Sequence, residues 1–435
     1  MDSPETRILL SLHTGKNMSE KQIKAIRGFN DLLSPMARRW SQAEQILQEI
    51  LENWRYQEIR LPIMEKTELF CRGIGENTDI VGKEMYTFAD KSDESVTLRP
   101  EGTAGVVRAY VENKLYNELA PQRVWYRGPM FRYERPQKGR YRQFHQLGVE
   151  VFGETEATID AETIALGYTM LVELGIAAGV TIEINNIGCP QCRPGYRQAL
   201  VAFLNARREH LCENCVERIE KNPLRVLDCK NPECQAQVAS APTIDEHRCE
   251  SCAAHYGALQ IYLDAYGVPY QRNPFMVRGL DYYVGTAFEF TTSLLGSQNA
   301  IGGGGRYDGL VEDLGGPATA AVGFAFGMER VMLLVEHFDS LQADLSLDFY
   351  IGYTENTFTL QGLQALRALR SLGKTSELDT RQRSVKNIFK RGDRLGARHV
   401  VLIGGDEAAG NFFTVKELAT GEQRQVPLAE LAKLP

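Results

Sequence analysis

The stretch Pro129–Gly153, PMFRYERPQKGRYRQFHQLGVEVFG, restricts what this chain can fold into more than any other. Two runs alternate with period two, and ERPQKGRY between them carries Pro136 and Gly139, residues that punctuate turns. The pattern predicts an antiparallel hairpin with a long loop. On the returning strand Arg142, Phe144, Gln146, Gly148 and Glu150 share one face, and His145, Leu147, Val149 and Val151 share the other. Arg132 and Glu134 share a face of the outgoing strand. Five cations (Arg132, Arg135, Lys138, Arg140 and Arg142) therefore crowd beside one carboxylate and one amide. Such a platform suits a polyanion held next to a small polar ligand. A solvated edge hairpin would explain the charges, but not an acid and an amide interleaved with apolar residues.

A chain of 435 residues is long enough for two or three domains with their own cores. Its net charge of −7 argues against sequence-blind coating of nucleic acid, so any such contact must use local basic patches. No apolar run approaches the roughly 18 residues of a membrane span. The start, MDSPETRILLSLHTGKNMSE, puts acids ahead of a short apolar run and lacks a small-residue cleavage pattern, so a signal peptide is not expected. Residues 1–20 read as a flexible tail, with Met18 an alternative start, and the protein is expected in the cytoplasm, away from membranes. Eight of the nine cysteines lie between Cys189 and Cys252, leaving Cys71 alone; in a reducing compartment such clustering favours metal over disulfides.

From Lys24 onward the chain is strongly patterned. A helix is predicted from about Ser34, with Trp40, Ala43, Ile46, Leu47 and Ile50 at helical spacing. YQEIRLPIMEKTELF reads as a strand broken at Pro62 and then a helix start. GIGENTDIVGKEMYTFADKSDESVTLRPEGTAGVVRAYVEN reads as loop, strand, strand, and a helix from near Glu101. ATIDAETIALGYTMLVELGI is predicted as an amphipathic helix and VTIEINNIG as a strand. A largely helical, cysteine-rich insertion (189–270) then separates the core (21–188) from its continuation (271–340). In that continuation the ends of FMVRGLDYYVGTAFEFTT read as strand, IGGGGRYDGLVEDLGG as a glycine-rich turn, and AVGFAFGMERVMLLVEHF as a strand entering a buried helix. Residues 345–435 alternate as strand, helix, helix, strand and hairpin, a small α/β domain with a mixed sheet.

Several motifs have both a functional and a plain structural reading. Glu101 and Thr103 at a helix N-terminus are caps, or an acceptor pair for a ligand amine. GGGGR (Gly302–Arg306) lacks the GK[ST] ending of a phosphate loop, and GKT (Gly373–Thr375) lacks the first glycine. The four glycines instead permit close backbone packing, with Arg306 and Tyr307 as side chains that could reach a pocket. RGLDYY (Arg278–Tyr283) is a salt bridge between Arg278 and Asp281, or part of a site. GMER places Arg330 at a helix start, where a cation is unusual without an anion nearby. The cysteines pair as Cys189-x₂-Cys192, Cys212-x₂-Cys215, Cys229-x₄-Cys234 and Cys249-x₂-Cys252, the spacing of one or two structural Cys₄ zinc sites. His210 and His247 are possible substitutes, and two sites can pair the four knuckles in three ways.

Taken together, these pieces resemble the histidyl-tRNA synthetases, class II aminoacyl-tRNA synthetases, over about 25–435. RLPIME with Pro62 resembles the class's dimer-interface motif, FRYE followed by RYRQF its second motif, and GFAFGMER its third. VRGLDYYVGTAFE and AIGGGGRYDGL resemble the two histidine-specific signatures. The resemblance implies an α+β fold: an antiparallel-sheet catalytic core, the helical insertion, and a C-terminal α/β anticodon-binding domain. It implies ligation of L-histidine to tRNA(His) through a histidyl-adenylate, with ATP accompanied by Mg²⁺, by a homodimer.

The resemblance also implies roles for individual residues. Arg132 would hold the α-phosphate and the histidine carboxylate, Arg140 the γ-phosphate, and Phe144 and Arg330 the two faces of adenine, with Glu134 on the ATP side. Arg278 would fill the α-phosphate role that a metal fills in sister enzymes, making it and Arg132 the catalytic pair. Glu101, Gly102, Thr103 and Gln146 would form the α-amino site. Glu150 and Tyr283 would meet the two imidazole nitrogens, with Tyr282 and Tyr307 as walls. Gln137 and Arg142 are candidates for the tRNA acceptor end, and Arg381, Arg383, Lys386, Lys390, Arg391 and Arg394 for the anticodon side. The family does not generally need zinc, so the cysteine pattern is a departure from it. Two rivals stand beside this reading. The regulatory subunit of ATP phosphoribosyltransferase shares the core but looks eroded at the histidine signatures and lacks the terminal domain. A zinc-based nucleic-acid-binding protein would leave everything but the knuckles unexplained.

Overall fold

The computed structural model describes residues 22–75, 78–296, 299–342 and 345–431, so the expected tail (1–20) lies outside the described residues. The chain divides into two compact units, one holding Arg39–Leu341 and the other Gln342–Pro435. Among the described residues no helix is long and apolar enough to cross a membrane.

Helix α1 (Met36–Asn53) buries Trp40, Ala43, Leu47, Ile50 and Leu51, a stripe at helical spacing. Strand β1 (Gln57–Glu58) follows, then β2 (Met64–Lys66), α2 (Thr67–Ile74), β3 (Tyr86–Ala89) and β4 (Ser95–Leu98), the strands β2, β4 and β3 forming a small antiparallel sheet. A helical turn, Ile80–Glu84, stands where a loop was expected. Helix α3 (Thr103–Glu112) leads to the predicted hairpin, β5 (Gln122–Phe131) and β6 (Gln143–Phe152). Its register runs from Gln122 opposite Phe152 to Phe131 opposite Gln143, which leaves residues 132–142 as the long loop.

Helix α4 (Ala157–Glu173) and strand β7 (Thr181–Asn186) precede the insertion. The insertion packs α5 (Arg193–Asn205), α6 (Glu213–Lys221), α7 (Leu224–Leu227), α8 (Pro232–Val238) and α9 (Glu250–Tyr266) around Tyr196, Leu200, Leu204, Ile219 and Val226. The chain returns through β8 (Gln271–Arg272), β9 (Val284–Thr291), β10 (Ala300–Arg306), α10 (Leu310–Asp313), β11 (Ala321–Gly327) and α11 (Met328–Phe338). The large sheet has the order β1-β5-β6-β11-β10-β9-β7-β8 and is antiparallel except at its two short edge strands.

Four expectations are corrected here. Gly302–Gly305 are not a turn but lie in β10, at the centre of the sheet. Side chains do not fit there: a Cβ on Gly304 would stand 2.0 Å from the Gly323 carbonyl, and one on Gly302 2.4 Å from the Phe326 ring. Helix α4 is not amphipathic. Ile159, Ala161, Ile164, Leu166, Met170 and Leu171 are buried around most of its circumference, because it lies between the sheet's phenylalanine layer and α9. The start of FMVRGLDYY is loop, since Asn185 Nδ2 takes the carbonyls of Pro274 (3.3 Å) and Met276 (2.9 Å) in place of a strand neighbour. Arg306 does not reach a pocket: it is spent on the fully buried Asp160 (2.8 Å) and on the carbonyls of Glu154 and Glu156 (both 3.0 Å). Thr286 (2.6 Å) and His255 (2.8 Å) complete the shell around Asp160, so the charge is compensated on several sides.

The second unit holds β12 (Leu347–Tyr353), α12 (Thr359–Arg370), β13 (Ser376–Leu378), α13 (Val385–Arg394), β14 (Ala397–Ile403), α14 (Gly405–Gly410), β15 (Phe413–Glu417) and β16 (Gln423–Val426). Its sheet is mixed, in the order β13-β12-β14-β15-β16, with β12 parallel to β13 and β14. Ile388 of α13 packs where Gly352 leaves room, since a Cβ there would lie 2.5 Å away. Arg381, Lys386, Lys390, Arg391 and Arg394 are exposed, whereas Arg383 is tied to the buried Asp379.

Candidate active site

The hairpin, α3, the loop before β9, β10 and the start of α11 converge on a cavity of about 280 Å³. Glu101, Thr103, Arg132, Glu134, Arg140, Phe144, Gln146, Arg278, Tyr282, Tyr283 and Arg330 line it. Three expected residues do not. Glu150 and Tyr307 stand behind the wall: Glu150 accepts hydrogen bonds from Thr103 Oγ1 (2.7 Å) and from the Tyr307 hydroxyl (2.5 Å). Gly102 lies under Tyr126, where a Cβ would come within 2.1 Å of the ring. Arg135, Lys138 and Arg142 are also outside the cavity lining; Arg142 covers the Tyr133 ring at 3.9 Å and donates to the Glu134 carbonyl (3.1 Å).

One end of the cavity is cationic. Arg132 donates to the Pro100 carbonyl (2.8 Å) and lies 5.2 Å from the Phe144 ring centre. Arg140 is paired with Glu134, and Arg330 donates to the carbonyls of Gly139 (2.9 Å) and Ala300 (2.5 Å). Burial, and then the like charges of Arg140 and Arg132, lower the pKa of Arg330 below its ordinary value. Positive charges that repel one another around an open space favour an anion in that space.

The other end holds buried carboxyls and hydroxyls. Glu101 accepts the amides of Thr103 (2.6 Å) and Ala104 (2.8 Å), so it caps α3 and also faces the cavity. Burial raises its pKa, and those amides hold it down only in part. Glu150 is pushed up to about 8 by burial against the pull of its Tyr307 and Thr103 hydrogen bonds. Among the described residues Gln146 Oε1 and the hydroxyls of Tyr126 and Tyr282 are buried without a hydrogen-bond partner. Buried polar atoms are costly to leave unpaired, and these all line the cavity.

The open choice at RGLDYY closes against the local pair. Arg278 bonds Glu289 (2.5 Å), while Asp281 turns away to Asn222 Nδ2 (2.9 Å). Glu289, Tyr126 and Glu329 are cavity residues that the sequence reading did not single out. Signals for them existed. Glu289 is an acid between the buried Phe288 and Phe290, and Glu329 belongs to GMER, where it holds His145 Nδ1 at 2.9 Å. Tyr126 pairs across the hairpin with Gly148, whose missing side chain makes room for the ring.

The family model described as histidyl-tRNA synthetase matches residues 28–331, and one described as an anticodon binding domain matches 354–434. The chain belongs to the histidyl-tRNA synthetase family. A relative named histidine–tRNA ligase from Halothermothrix orenii is 47% identical over 94% of this chain and 98% of its own length. A second of that name, from Trichlorobacter lovleyi, is 48% identical over 93% of this chain and 96% of its own. The solved apo histidyl-tRNA synthetase of S. aureus superposes with a TM-score of 0.80 at 36% identity, covering 95% of this chain and 99% of that one. Membership brings ATP, histidine and tRNA as the ligands of the fold, and its catalytic unit is the α+β one described above.

The insertion's eight cysteines gather as Cys189, Cys192, Cys249 and Cys252, and as Cys212, Cys215, Cys229 and Cys234. Of the three pairings left open, the fold takes first knuckle with fourth and second with third. No histidine joins either group among the described residues, so neither His210 nor His247 substitutes. Within each group the sulfurs lie within 4.8 Å of one another, with separations of 3.5 Å (Cys189–Cys192) and 3.9 Å (Cys189–Cys249, Cys212–Cys229). A tetrahedral zinc thiolate site needs sulfurs about 3.8 Å apart. The donor sets therefore fit such an ion.

Proposed function

We propose that this chain joins L-histidine to tRNA(His) in two ATP-driven steps. The histidine carboxylate attacks the α-phosphate of ATP; the new oxygen–phosphorus bond replaces the bond to pyrophosphate, which leaves. A hydroxyl of the terminal ribose of tRNA then attacks the adenylate's carbonyl carbon, and AMP leaves with the oxygen it shared. The observation that carries this reading is one cavity with crowded cations at one end and unpaired amide and hydroxyl groups at the other.

In this reading Arg132 and Arg278 hold the α-phosphate and the amino-acid carboxylate, and Arg140 the γ-phosphate. Phe144 and Arg330 sandwich adenine, with Glu134 beside it, and Mg²⁺ enters with ATP. Because no covalent enzyme intermediate forms, catalysis rests on alignment and on preorganised positive charge. Glu101, Thr103 and Gln146 form the α-amino site, with Gly102 packed behind them under Tyr126. Tyr283 serves the imidazole from the cavity wall beside Tyr282, and Glu150 serves it from behind that wall; the hydrogen-bonded line from Tyr307 through Glu150 to Thr103 supports a relay that fixes the ring's protonation.

We assign 21–188 and 271–340 to the catalytic core, 189–270 to an insertion and 345–435 to anticodon binding, where the exposed basic residues of α13 would meet RNA. Each cysteine group would hold one structural Zn²⁺, which cross-links the insertion and takes no part in the chemistry. Exposed Ile63, Met64 and Phe88 beside Pro62 support a homodimer seat on the small sheet. Eight cysteines gathered as metal-ligand sets, and not as disulfides, support a reducing compartment, the cytoplasm.

The test is Arg278→Ala in histidine-dependent ATP–pyrophosphate exchange. Removing such a donor should cost about 10²–10³ in rate while the fold is retained. Retention of more than about a tenth of the activity would refute the role.

A further inference from the structure

Arg278–Tyr283 carries four cavity side chains, Arg278, Leu280, Tyr282 and Tyr283, yet has no regular secondary structure. A loop of this kind keeps its geometry only if neighbours hold it. The Asp281 amide donates to the Ile74 carbonyl of α2 (3.3 Å), and side chains of the insertion supply further holders. Arg193, next to Cys192, donates to the carbonyls of Ile187 (3.2 Å) and Tyr283. Asn222 Nδ2 donates to Asp281 (2.9 Å). Arg225 donates to the Arg278 carbonyl (3.3 Å) and covers Gly279 so closely that a Cβ there would meet its guanidinium at 3.2 Å. The same guanidinium lies 3.9 Å from Asp79, which Arg218 approaches to 3.6 Å.

The placement of Asn222 and Arg225 is the informative part. Both lie in the stretch between Cys215 and Cys229, the two inner cysteines of the second thiol group. That group closes the stretch into a loop, and the loop's tip is what grips the Arg278 segment. The helices inside it, α6 and α7, bury little beyond Cys215, Ile219, Val226 and Leu227, so the sulfurs supply much of its order.

We propose that Asn222 and Arg225 are positioning residues for adenylate formation, presented by the loop that Cys212, Cys215, Cys229 and Cys234 close. They act through the backbone of Arg278 and the carboxylate of Asp281, and touch neither substrate. This rests on the reading of Arg278 as a catalytic residue.

The experiment compares Asn222→Ala with Arg225→Ala, the double variant, Asn222→Asp, the swap of Asn222→Asp with Asp281→Asn, and Arg278→Ala. Three quantities are read: bound zinc, amide hydrogen exchange over 277–283, and kcat and KM in histidine-dependent exchange. In the double variant zinc should stay at the parental level, and the loop amides should exchange about tenfold faster. Its kcat should fall about tenfold or more, with KM for ATP moving less, as expected for misplaced reacting groups. Asn222→Asp sets two carboxylates face to face and should be worse than alanine; the swap restores the pair and should recover most of the loss. Parental loop exchange, or kcat within about twofold of the parent in the double variant, overturns the proposal. If Arg278→Ala is inactive while the double variant is parental, only the positioning role fails. An active Arg278→Ala instead removes the catalytic reading on which the role depends.

Discussion

Glu150→Gln should stabilise the empty enzyme above neutral pH while removing its activity. Glu150 is 1% exposed, its oxygens accept from the Thr103 and Tyr307 hydroxyls, and no ion pair reaches it among the described residues. Burial therefore wins and pushes the carboxyl up to about 8, against about 4.3 in an unfolded chain. Between those values the folded protein keeps a proton that the unfolded chain has released, so stability falls as pH rises through the window. The slope approaches about 1.4 kcal/mol per pH unit, which amounts to about 2 kcal/mol lost between about pH 6 and about pH 8. Glutamine keeps the shape and does not titrate. Trp40, Trp54 and Trp125 are the only tryptophans and all lie in the first unit, so urea unfolding followed by tryptophan fluorescence reports that unit alone. Across this range the variant's stability should rise by about 2 kcal/mol relative to the parent's, and histidine-dependent exchange should fall at least about 10²-fold. Parallel pH profiles, within about 0.5 kcal/mol, would show that Glu150 is already ionised in the free enzyme and would refute the reasoning.

Gly323→Ala should destabilise the same unit by about 3 kcal/mol or more, because its Cβ would fall 1.8 Å from Glu150 Oε2 and 2.3 Å from the Val149 carbonyl; a loss under about 1 kcal/mol in the same urea assay would show that the sheet can yield. Protein purified without added zinc should carry about two equivalents by elemental analysis, and under about half an equivalent would count against both sites. Deleting residues 345–435 should weaken tRNA binding and flatten its salt dependence while leaving adenylate formation intact; unchanged affinity would remove the anticodon assignment.

What could be read from the sequence was what is local. Alternation along β6 put Gln146 and Glu150 on one face because strand neighbours two apart always share one. The same alternation put Phe144 beside Gln146, but Arg132 and Glu134, expected on one face of the outgoing strand, lie beyond the end of β5 and reach the cavity from the loop. It failed where the deciding neighbour is distant. Gly302–Gly305 read as a turn from composition, yet the absent side chains of Gly302 and Gly304 answer to Phe326, Gly323 and Phe324 on β11, and those of Gly303 and Gly305 to Phe288 and Thr286 on β9. Arg278 was offered Asp281, the nearest acid in sequence, whereas strand β9 supplies Glu289 at 2.5 Å. Tyr126 needed the hairpin register before Gly148 could be seen as its socket. The knuckle pairing needed the packing of α5 to α9. In each case the missing information was a contact and not a propensity.

The empty site is an unfinished structure. Arg132, Arg140 and Arg330 repel one another. Glu150 is held protonated by burial. Gln146 Oε1 and two tyrosine hydroxyls lack partners among the described residues. Each of these is a cost carried by the folded chain, and each is relieved by a different part of the proposed ligands: phosphates for the cations, imidazole for the relay behind Thr103, the α-amino group for Gln146. Affinity then comes largely from removing costs already built in, which makes it selective. An isostere that leaves one of these groups unpaired restores that cost of about 1–3 kcal/mol, or about 10–10² in discrimination for each group. The groups left unpaired in such a site cannot hold it together. Its geometry must be imposed from behind, by the glycine-tight sheet under Glu150 and by the insertion side chains gripping the Arg278 loop.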